Sequence, residues 1–195
     1  MIRPEVEGFP SFKYTLVKTE RLLMRAPRKT DFKKWHDIRS ANKEYLKPFE
    51  PEWSDNWNTR RVFSRRVNRQ EKEWVNGLAY SFLLIEKGSQ NIIGGINING
   101  INRGAAQFAS LGYWISENMQ GQGLMSEAMS AIIFFSFYIL NLERLNAATL
   151  EKNEKSIQLL KSKGFEKEGF ARQYVEIDGR RQDHILFGLN KTDYS

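Results

Sequence analysis

The residues best suited to chemistry lie in the segment Gln120-Gly121-Gln122-Gly123-Leu124, between a predicted strand and a predicted helix. At the start of a helix, unpaired backbone N–H groups and the positive end of the helix dipole point toward the same place. Glycine has no Cβ atom, so Gly121 and Gly123 let a phosphate approach those amides closely. The segment therefore predicts an anion site, with a pyrophosphate as the expected ligand. A plain glycine-rich turn that caps the helix is the alternative.

Two common phosphate-binding motifs do not fit this segment. A P-loop needs Gly-Lys-Ser/Thr after four spacer residues, and no such triplet follows here. A dinucleotide-binding fingerprint needs a third glycine where this chain has Ser126, and only about 70 residues remain for the second half of its sheet. Glu143, which stands twenty residues after Gly123, is the one feature in favour of that fingerprint. A dinucleotide cofactor is therefore not expected.

The composition places this site in a folded, basic protein. The chain has 195 residues, and its 30 Lys and Arg against 23 Asp and Glu give a net charge of +7. Its 41% of apolar residues is too high a share for a disordered chain of such modest charge. Cysteine is absent from the sequence, which excludes disulfides, thiolate nucleophiles, Cys-based zinc sites and iron–sulfur clusters. A reducing cytoplasm is the expected compartment.

Neither an export signal nor a membrane span is predicted. Pro4, Glu5 and Glu7 lie where a secretory signal needs an uninterrupted apolar stretch. The longest apolar stretch, residues 128–142, contains polar residues and is shorter than the ~20 residues that a membrane span needs. That stretch is expected to be a buried helix.

The hydrophobic pattern predicts one mixed α/β domain over residues 1–195. Strands are predicted at residues 17–26, 79–86, 91–101, 107–115, 144–150, 166–177 and 181–189. Helices are predicted at residues 31–40, 59–76 and 154–163, and from the glycine segment to about residue 141. Short turns make the middle strands antiparallel, and the helix between residues 115 and 144 makes one parallel crossover. We therefore expect a mostly antiparallel sheet with helices on both faces. The aromatic stretch 45–57 is expected to line a pocket.

Several stretches, in the right order, resemble one known family. A strand ending in LGYWI, QGQGLM at a helix start, and NEKSIQLLKSKGF resemble motif A and the following motif of the GCN5-related N-acetyltransferases (GNAT). Within that superfamily, YLKPFEP, QGQGLMSEA, NEKSIQLLKSKGFEKEG and IDGRRQDH resemble the RimJ/RimL group of ribosomal-protein-alanine N-acetyltransferases. The resemblance covers most of the chain. It implies a GNAT fold that uses acetyl-CoA as co-substrate and needs no metal.

The resemblance also implies where coenzyme A would bind. The family pattern Q/R-x-x-G-x-G/A binds the pyrophosphate through backbone amides, and the two glycines match it, although its leading position is Asn118 here. The strand before it would pair with the pantetheine arm, and an asparagine of the family would contact that arm. The cofactor-binding residues expected on this basis are Tyr113, Ile115, Gln120, Gly121, Gln122, Gly123, Leu124, Met125 and Asn153.

The resemblance further implies an acid for the departing thiolate. Many family members use a tyrosine seven residues after the asparagine, where this chain has Leu160. The RimJ/RimL group is proposed to use a serine, which matches Ser156. A helix serine that bonds to its own turn is the alternative.

Acetylation of an amine also needs a base, because an ammonium group has no lone pair. Many relatives carry a glutamate on the strand before motif A, but this chain has Ser110 and no acid there. Glu50, between two prolines of the aromatic stretch, is therefore the expected base. The carboxylates of Glu52, Asp55 and Asp183 are the alternatives.

The remaining polar features are expected to have ordinary roles. His36 and His184 are the only histidines, and no metal site is predicted from them. Asp183 and His184 are neighbours on a strand and so point to opposite faces, which excludes a dyad. The arginine row of helix 59–76, formed by Arg60, Arg61, Arg65, Arg66 and Arg69, is expected to be a solvated face. The alternatives for this row are contact with a ribosome and contact with the 3′-phosphate of the coenzyme.

Together with these observations, the resemblance implies an acetyl-CoA-dependent N-acetyltransferase, either a monomer or a homodimer. Its expected acceptor is the N-terminal α-amine of a ribosomal protein that begins with Ala or Ser. Acetylation of a small amine, such as an antibiotic or a polyamine, is the alternative enzyme function. An RNA-binding ribosome-assembly accessory protein without activity is the alternative from another class.

Overall fold

A nine-stranded sheet organises the computed structural model, which describes residues 3–194. Its strands are β1 Glu5–Glu7, β2 Leu16–Lys18, β3 Leu22–Arg25, β4 Tyr80–Glu86, β5 Ile92–Asn102, β6 Phe108–Ile115, β7 Arg144–Thr149, β8 Glu166–Ile177 and β9 Arg180–Asn190. The helices are α1 Phe32–Ala41, α2 Lys43–Leu46, α3 Arg60–Val75, α4 Leu124–Phe134 and α5 Glu154–Ser162. The strand order is β1-β2-β3-β4-β5-β6-β7-β9-β8. Among these described strands only β6 and β7 pair in parallel, as the crossover predicted.

The helices cover both faces of the sheet, and alternate residues of β4 show how. Phe82 and Leu84 belong to the large core that α4 and α5 complete. Leu83 and Ile85 belong to a smaller core, which also contains Trp35 of α1 and residues of α3. Because side chains alternate along a strand, these two sets lie on opposite faces. The mixed sheet with helices on both faces is therefore confirmed.

The predicted strand 17–26 is wrong as a single element. The chain turns between β2 and β3, where the Thr19 N–H donates to the Leu22 carbonyl at 3.0 Å. The Thr19 hydroxyl and the Arg21 N–H both donate to the Glu127 carboxylate, at 2.5 and 2.8 Å. This turn therefore ties the hairpin of β2 and β3 to α4, a helix that is remote in sequence. β1 was not predicted, because a three-residue edge strand has too short a pattern.

Two details of the predicted helices also differ. Asp31, the first residue of the predicted helix 31–40, lies before α1 and does not cap it with its side chain, because its carboxylate accepts two 2.7 Å hydrogen bonds from the guanidinium of Arg25. Leu78 continues the apolar spacing of Phe63 and Trp74, but it is 54% exposed. It lies beyond Gly77, whose φ of +66° ends the helix. The long apolar helix is confirmed as α4, which a π-helical turn at Phe135–Ile139 continues.

The sheet opens between β6 and β7. The two strands pair only from Phe108 to Ser110 on β6 and from Arg144 to Asn146 on β7. β7 continues along β9 to Thr149, whereas no described strand pairs with residues 111–115 on that side of β6. The end of β6 therefore presents a free backbone edge within a cleft. Within residues 3–194, no helix is both long and apolar enough to cross a bilayer.

Candidate active site

Two adjoining cavities flank the free end of β6. The larger has a volume of about 710 Å³ and is lined by the glycine segment, the end of β6 and α5. The smaller has about 540 Å³ and is lined mainly by α1, α3, β6, β7 and the aromatic stretch. Both cavities are lined by Phe49, Glu50, Tyr113, Trp114, Asn153 and Ser156. Two substrates that enter by separate cavities could therefore meet at these shared residues.

The glycine segment has the backbone that an anion site requires. Gly121 and Gly123 have φ values of +71° and +75°, in the left-handed region that glycine tolerates best. The first intrahelical bond of α4 runs from the Glu127 N–H to the Gly123 carbonyl at 2.9 Å, so the amides of residues 124–126 have no partner within the helix. A Cβ atom on Gly121 would meet no atom within 4 Å, so the space before the turn is open. These amides can therefore receive a phosphate.

Polar side chains from other elements surround the segment. The side chain of Gln120 contacts the Tyr45 hydroxyl and the Lys155 ammonium group. The Arg21 guanidinium donates to the Gln122 carbonyl at 2.8 Å. Tyr45 and Lys155 also line the larger cavity. Tyr45 belongs to the aromatic stretch that was expected to line a pocket, whereas sequence reasoning missed Lys155. Lys155 places a positive charge beside the predicted pyrophosphate site.

Eight of the nine predicted cofactor-binding residues line the larger cavity. They are Tyr113, Ile115, Gln120, Gly121, Gly123, Leu124, Met125 and Asn153. Gln122 is not among the lining residues. Its side chain donates back to the Asn118 carbonyl at 3.1 Å, because the turn folds it away from the cavity.

A pair of hydroxyl groups lies where the cavities meet. The Tyr113 hydroxyl is 2.6 Å from the Ser156 hydroxyl. Asn153 caps α5 by accepting the Ser156 N–H at 3.2 Å, which fixes the start of that helix. Burial raises the pKa of the Tyr113 phenol to about 12, while the hydrogen bond with Ser156 acts in the opposite direction. The Tyr113 phenol is therefore neutral near pH 7 and can donate a proton.

Glu50 lines both cavities and is held by strong donors. Its two oxygens accept from the two terminal nitrogens of Arg39, and one of them also accepts from Trp53 Nε1 at 2.9 Å. The Arg39 guanidinium lies 4.2 Å from the ring centre of Trp53 and 4.9 Å from that of Trp114. These donors use three of the roughly four lone-pair positions of the carboxylate. Sequence reasoning missed the roles of Arg39 and Trp114.

The other base candidates occupy different places. Glu52 is an exposed residue that lines the smaller cavity, whereas Asp55 lines neither cavity. Asp183 is exposed, and its carboxylate accepts the Gln173 N–H at 2.7 Å. His184 is buried, so the two neighbours do lie on opposite faces.

His184 lines the smaller cavity, although the sequence analysis expected only an ordinary structural role for it. Its Nδ1 atom lies 2.9 Å from the Gln182 carbonyl. Because a carbonyl only accepts, Nδ1 is the donor in this hydrogen bond.

The five arginines of α3 do not form one face. Arg60, Arg61, Arg65 and Arg69 are exposed, whereas Arg66 lines the smaller cavity. The Arg60 guanidinium lies 4.9 Å from the Phe32 ring centre, and Arg69 pairs with Glu73 at 3.6 Å. The expected solvated face is therefore wrong for Arg66, since the turn of the helix brings that residue over the cavity.

Known proteins resemble this chain in both architecture and sequence. The model of the acetyltransferase (GNAT) domain family matches residues 21–166. A [Ribosomal protein uS5]-alanine N-acetyltransferase from Escherichia coli is 33% identical over 177 residues, which are 91% of each chain. The crystal structure of a ribosomal-protein-S5-alanine acetyltransferase from Vibrio fischeri has a TM-score of 0.85 and 29% identity, over 92% of this chain and 98% of the other.

A RimJ structure from Mycobacterium smegmatis, in complex with a CoA disulfide, has a TM-score of 0.84 at 23% identity, over 98% of this chain and 91% of the other. At that identity the likeness supports the fold alone. The resemblance inferred from the sequence is confirmed by the family match and by the close relatives. The chain belongs to the GNAT family of acetyltransferases.

Proposed function

We propose that this protein transfers the acetyl group of acetyl-CoA to the N-terminal α-amine of a ribosomal protein that begins with Ala or Ser. The observation that carries this proposal is the meeting of two cavities at the Tyr113 and Ser156 hydroxyls. One cavity suits the coenzyme and the other suits the acceptor. The ribosomal acceptor is supported by the alanine N-acetyltransferase from Escherichia coli, to which the chain is 33% identical.

The residues of the larger cavity fit coenzyme A. The glycine segment offers its free amides to the pyrophosphate, and the Lys155 ammonium group adds a positive charge nearby. The free edge of β6, at Tyr113 and Ile115, can pair with the amide groups of a pantetheine arm as a neighbouring strand would. The co-substrate supplies an activated thioester, so the protein needs only to orient the amine, stabilise charge and move protons.

Ser156 is the proposed acid toward the departing sulfur. Its hydroxyl lies at the cavity junction, and α5 holds it there through the Asn153 cap. A serine hydroxyl is a weak acid, so a second donor behind it helps to replace the proton that it gives away. The Tyr113 phenol is in hydrogen-bond contact with it and is neutral near pH 7.

Glu50 is the proposed acceptor of the amine proton. Its carboxylate lines both cavities and retains about one lone-pair position after the bonds from Arg39 and Trp53. The Arg39 guanidinium, stacked between Trp53 and Trp114, fixes the position of that carboxylate. An α-amine has a reference pKa of about 8, so a modest base is sufficient.

The surroundings of the site fit a protein acceptor. Aromatic side chains of the stretch 45–57, among them Phe49, Trp53 and Trp57, form one wall of the smaller cavity, which suits the first residues of a peptide. The outward arginines of α3 add a basic surface that a ribosome can contact.

Incubation of the protein with total ribosomal proteins and isotopically labelled acetyl-CoA tests the proposal. Peptide mapping by mass spectrometry should locate the label on the α-amine of a protein with N-terminal Ala or Ser. Faster turnover of spermidine or an aminoglycoside than of any ribosomal protein would support the small-amine alternative. RNA binding without any acetyl-CoA turnover would support the accessory-protein alternative.

A further inference from the structure

A guanidinium group without an anionic partner lies in the wall of the smaller cavity. Arg66 of α3 is half-buried there, with its guanidinium 5.9 Å from the ring centre of Trp35. Across residues 3–194 it forms no ion pair and no hydrogen bond, whereas Arg39 pairs with Glu50 and Arg69 pairs with Glu73. Burial lowers the pKa of Arg66 to about 10, and the charge of Arg39 acts in the same direction. Arg66 is still cationic near pH 7.

The carboxylates of this cavity do not neutralise Arg66. Both oxygens of Glu50 accept from Arg39, although Glu50 favours the charged form of Arg66 at longer range. Glu52 lies near the turn between β8 and β9, where its carboxylate oxygens are 3.6 and 3.9 Å from the Cβ position of Gly179. The cavity therefore contains one positive charge that the described part of the chain leaves unpaired.

A charge that is partly removed from water is stabilised by an opposite charge with matching geometry. The planar guanidinium offers paired N–H donors, and a carboxylate accepts two of them side by side. A backbone carbonyl can accept one such bond but brings no neutralising charge. The ligand that fits Arg66 is therefore a carboxylate that belongs to the occupant of the cavity.

We propose that Arg66 binds an acidic side chain, Asp or Glu, in the first few residues of the acceptor peptide. This inference rests on the proposed function, since it takes the smaller cavity as the acceptor site. Arg66 and the reactive junction at Ser156 line the same cavity, so one short peptide can place its α-amine at the junction and its carboxylate at Arg66. Arg66 is then a specificity-determining residue that acts on binding.

Turnover of a peptide series tests this inference together with the proposed function. Each peptide begins with Ala, has an amidated C-terminus and carries Glu, Gln or Lys at one of positions 2 to 5 in a neutral background. With the natural protein, Glu at one position should raise kcat/KM about tenfold over Gln, mainly through KM, and Lys should lower it. Arg66→Gln should bring the ratio of Glu to Gln close to one. Arg66→Glu should reverse the preference toward Lys.

Arg65→Gln is the matched control, because Arg65 lies on the same helix but is exposed. It should keep the natural ratio, whereas a diffuse effect of the basic helix would lower the ratio in both variants and overturn the inference. Equal ratios in the natural protein and in Arg66→Gln would overturn it as well. Circular dichroism and acetyl-CoA affinity, measured on each variant, establish that the fold is intact.

Binding of the acetylated product peptides separates the two proposals. Calorimetry should show that the Glu product binds the natural protein about tenfold more tightly than the Gln product, and that Arg66→Gln binds both equally. If no peptide is turned over but this binding difference is present, the proposed function fails and the Arg66 site stands. If peptides are turned over without any preference for Glu, the proposed function stands and the Arg66 site fails.

Discussion

The hydroxyl of Tyr113 lies 2.6 Å from the hydroxyl of Ser156, at the junction of the two cavities. The two residues come from different elements, β6 and α5, so their contact depends on how the crossover returns the chain to the sheet. A serine that only stabilised its own helix turn would bond to a carbonyl of that turn. Ser156 instead directs its hydroxyl to a phenol at the junction.

The first prediction concerns this pair of hydroxyls. Ser156→Ala removes the proposed acid, so kcat should fall by about 10²-fold while acetyl-CoA affinity stays nearly unchanged. Tyr113→Phe keeps Ser156 but removes the donor behind it, so a smaller loss of kcat, about tenfold, is expected. Steady-state kinetics and calorimetry measure the two quantities. An unchanged kcat in Ser156→Ala would mean that water or another group protonates the sulfur.

The pH dependence of the same pair gives the second prediction. Because the pKa of Tyr113 is raised to about 12, its phenol stays neutral throughout the range in which the acceptor amine loses its proton. Turnover should therefore rise toward pH 9 and should not fall again because of Tyr113. Ultraviolet difference absorption of the natural protein against Tyr113→Phe should detect no ionisation of this phenol below about pH 11. Ionisation of Tyr113 near pH 10 would contradict its buried, hydrogen-bonded state.

The third prediction tests Glu50 as the proton acceptor. Glu50→Gln retains the shape but removes the basic oxygen, so kcat/KM should fall by about 10²-fold near pH 7. Higher pH should restore part of the activity, because more of the amine is then free. His184→Gln tests the rival base, since His184 lines the same cavity. A larger loss in that variant would assign the base to the histidine.

Glu50→Gln also weakens the ion pair with Arg39, so loss of activity through misplaced aromatic rings must be distinguished from loss of a base. Arg39→Lys removes the paired hydrogen bonds and keeps Glu50 itself. If Glu50 is the base, this variant should lose less activity than Glu50→Gln and should show no comparable rescue at high pH. Equal losses and equal pH profiles would indicate a positioning role for Glu50.

The parts of the site that follow from local sequence could be predicted, and the parts that follow from packing could not. The glycine segment is a local pattern, and its positive φ values and helix start agree with that pattern. Ser156 was located by resemblance to a family motif. Arg39 lies in a helix with many charged residues, and its burial depends on Trp53 and Trp114, which come from remote segments.

The same distinction applies to the fold. The alternation of apolar residues and the turn signals predicted seven strands, of which six are present with bounds that differ by one residue or less. The predicted strand 17–26 merged β2 and β3, since nothing near Thr19 in sequence shows that Glu127 holds the turn between them. Arg66 was assigned to an exposed row because spacing along a helix does not show which part of it faces a cavity.

The fourth prediction concerns Gly95, which β5 places opposite Trp114. A Cβ atom on Gly95 would lie 2.7 Å from Trp114 Nε1 and 3.3 Å from the Phe82 carbonyl oxygen. Gly95→Ala should therefore displace the indole from Arg39 and cost about 1–3 kcal/mol of folding free energy. Chemical denaturation measures that loss, and a change in tryptophan emission should accompany it. Gly88→Ala is the control, because a Cβ atom there meets nothing within 4 Å.

The last prediction tests the acceptor itself at its first residue. The α-amine has a reference pKa of about 8 against about 10.4 for lysine, so a useful fraction is free near pH 7 and a single carboxylate suffices as base. Large first residues should clash with the aromatic wall that includes Phe49 and Trp53, whereas Ala and Ser should fit. Turnover should therefore be fastest for Ala and Ser, and at least about tenfold slower for Trp and Arg.

A panel of peptides that differ only at residue one, each with an internal lysine and each made with a free and a blocked α-amine, measures both features together. Mass spectrometry should place the acetyl group on the α-amine of the free peptides and leave the blocked peptides unlabelled. Gly123→Val serves as a control for the coenzyme site, because a branched side chain at a φ of +75° strains the turn and should weaken acetyl-CoA binding at least about tenfold. That variant should slow every peptide alike, since it does not touch the acceptor cavity. Label on the lysine of blocked peptides would reject the α-amine as acceptor while the coenzyme site remained supported.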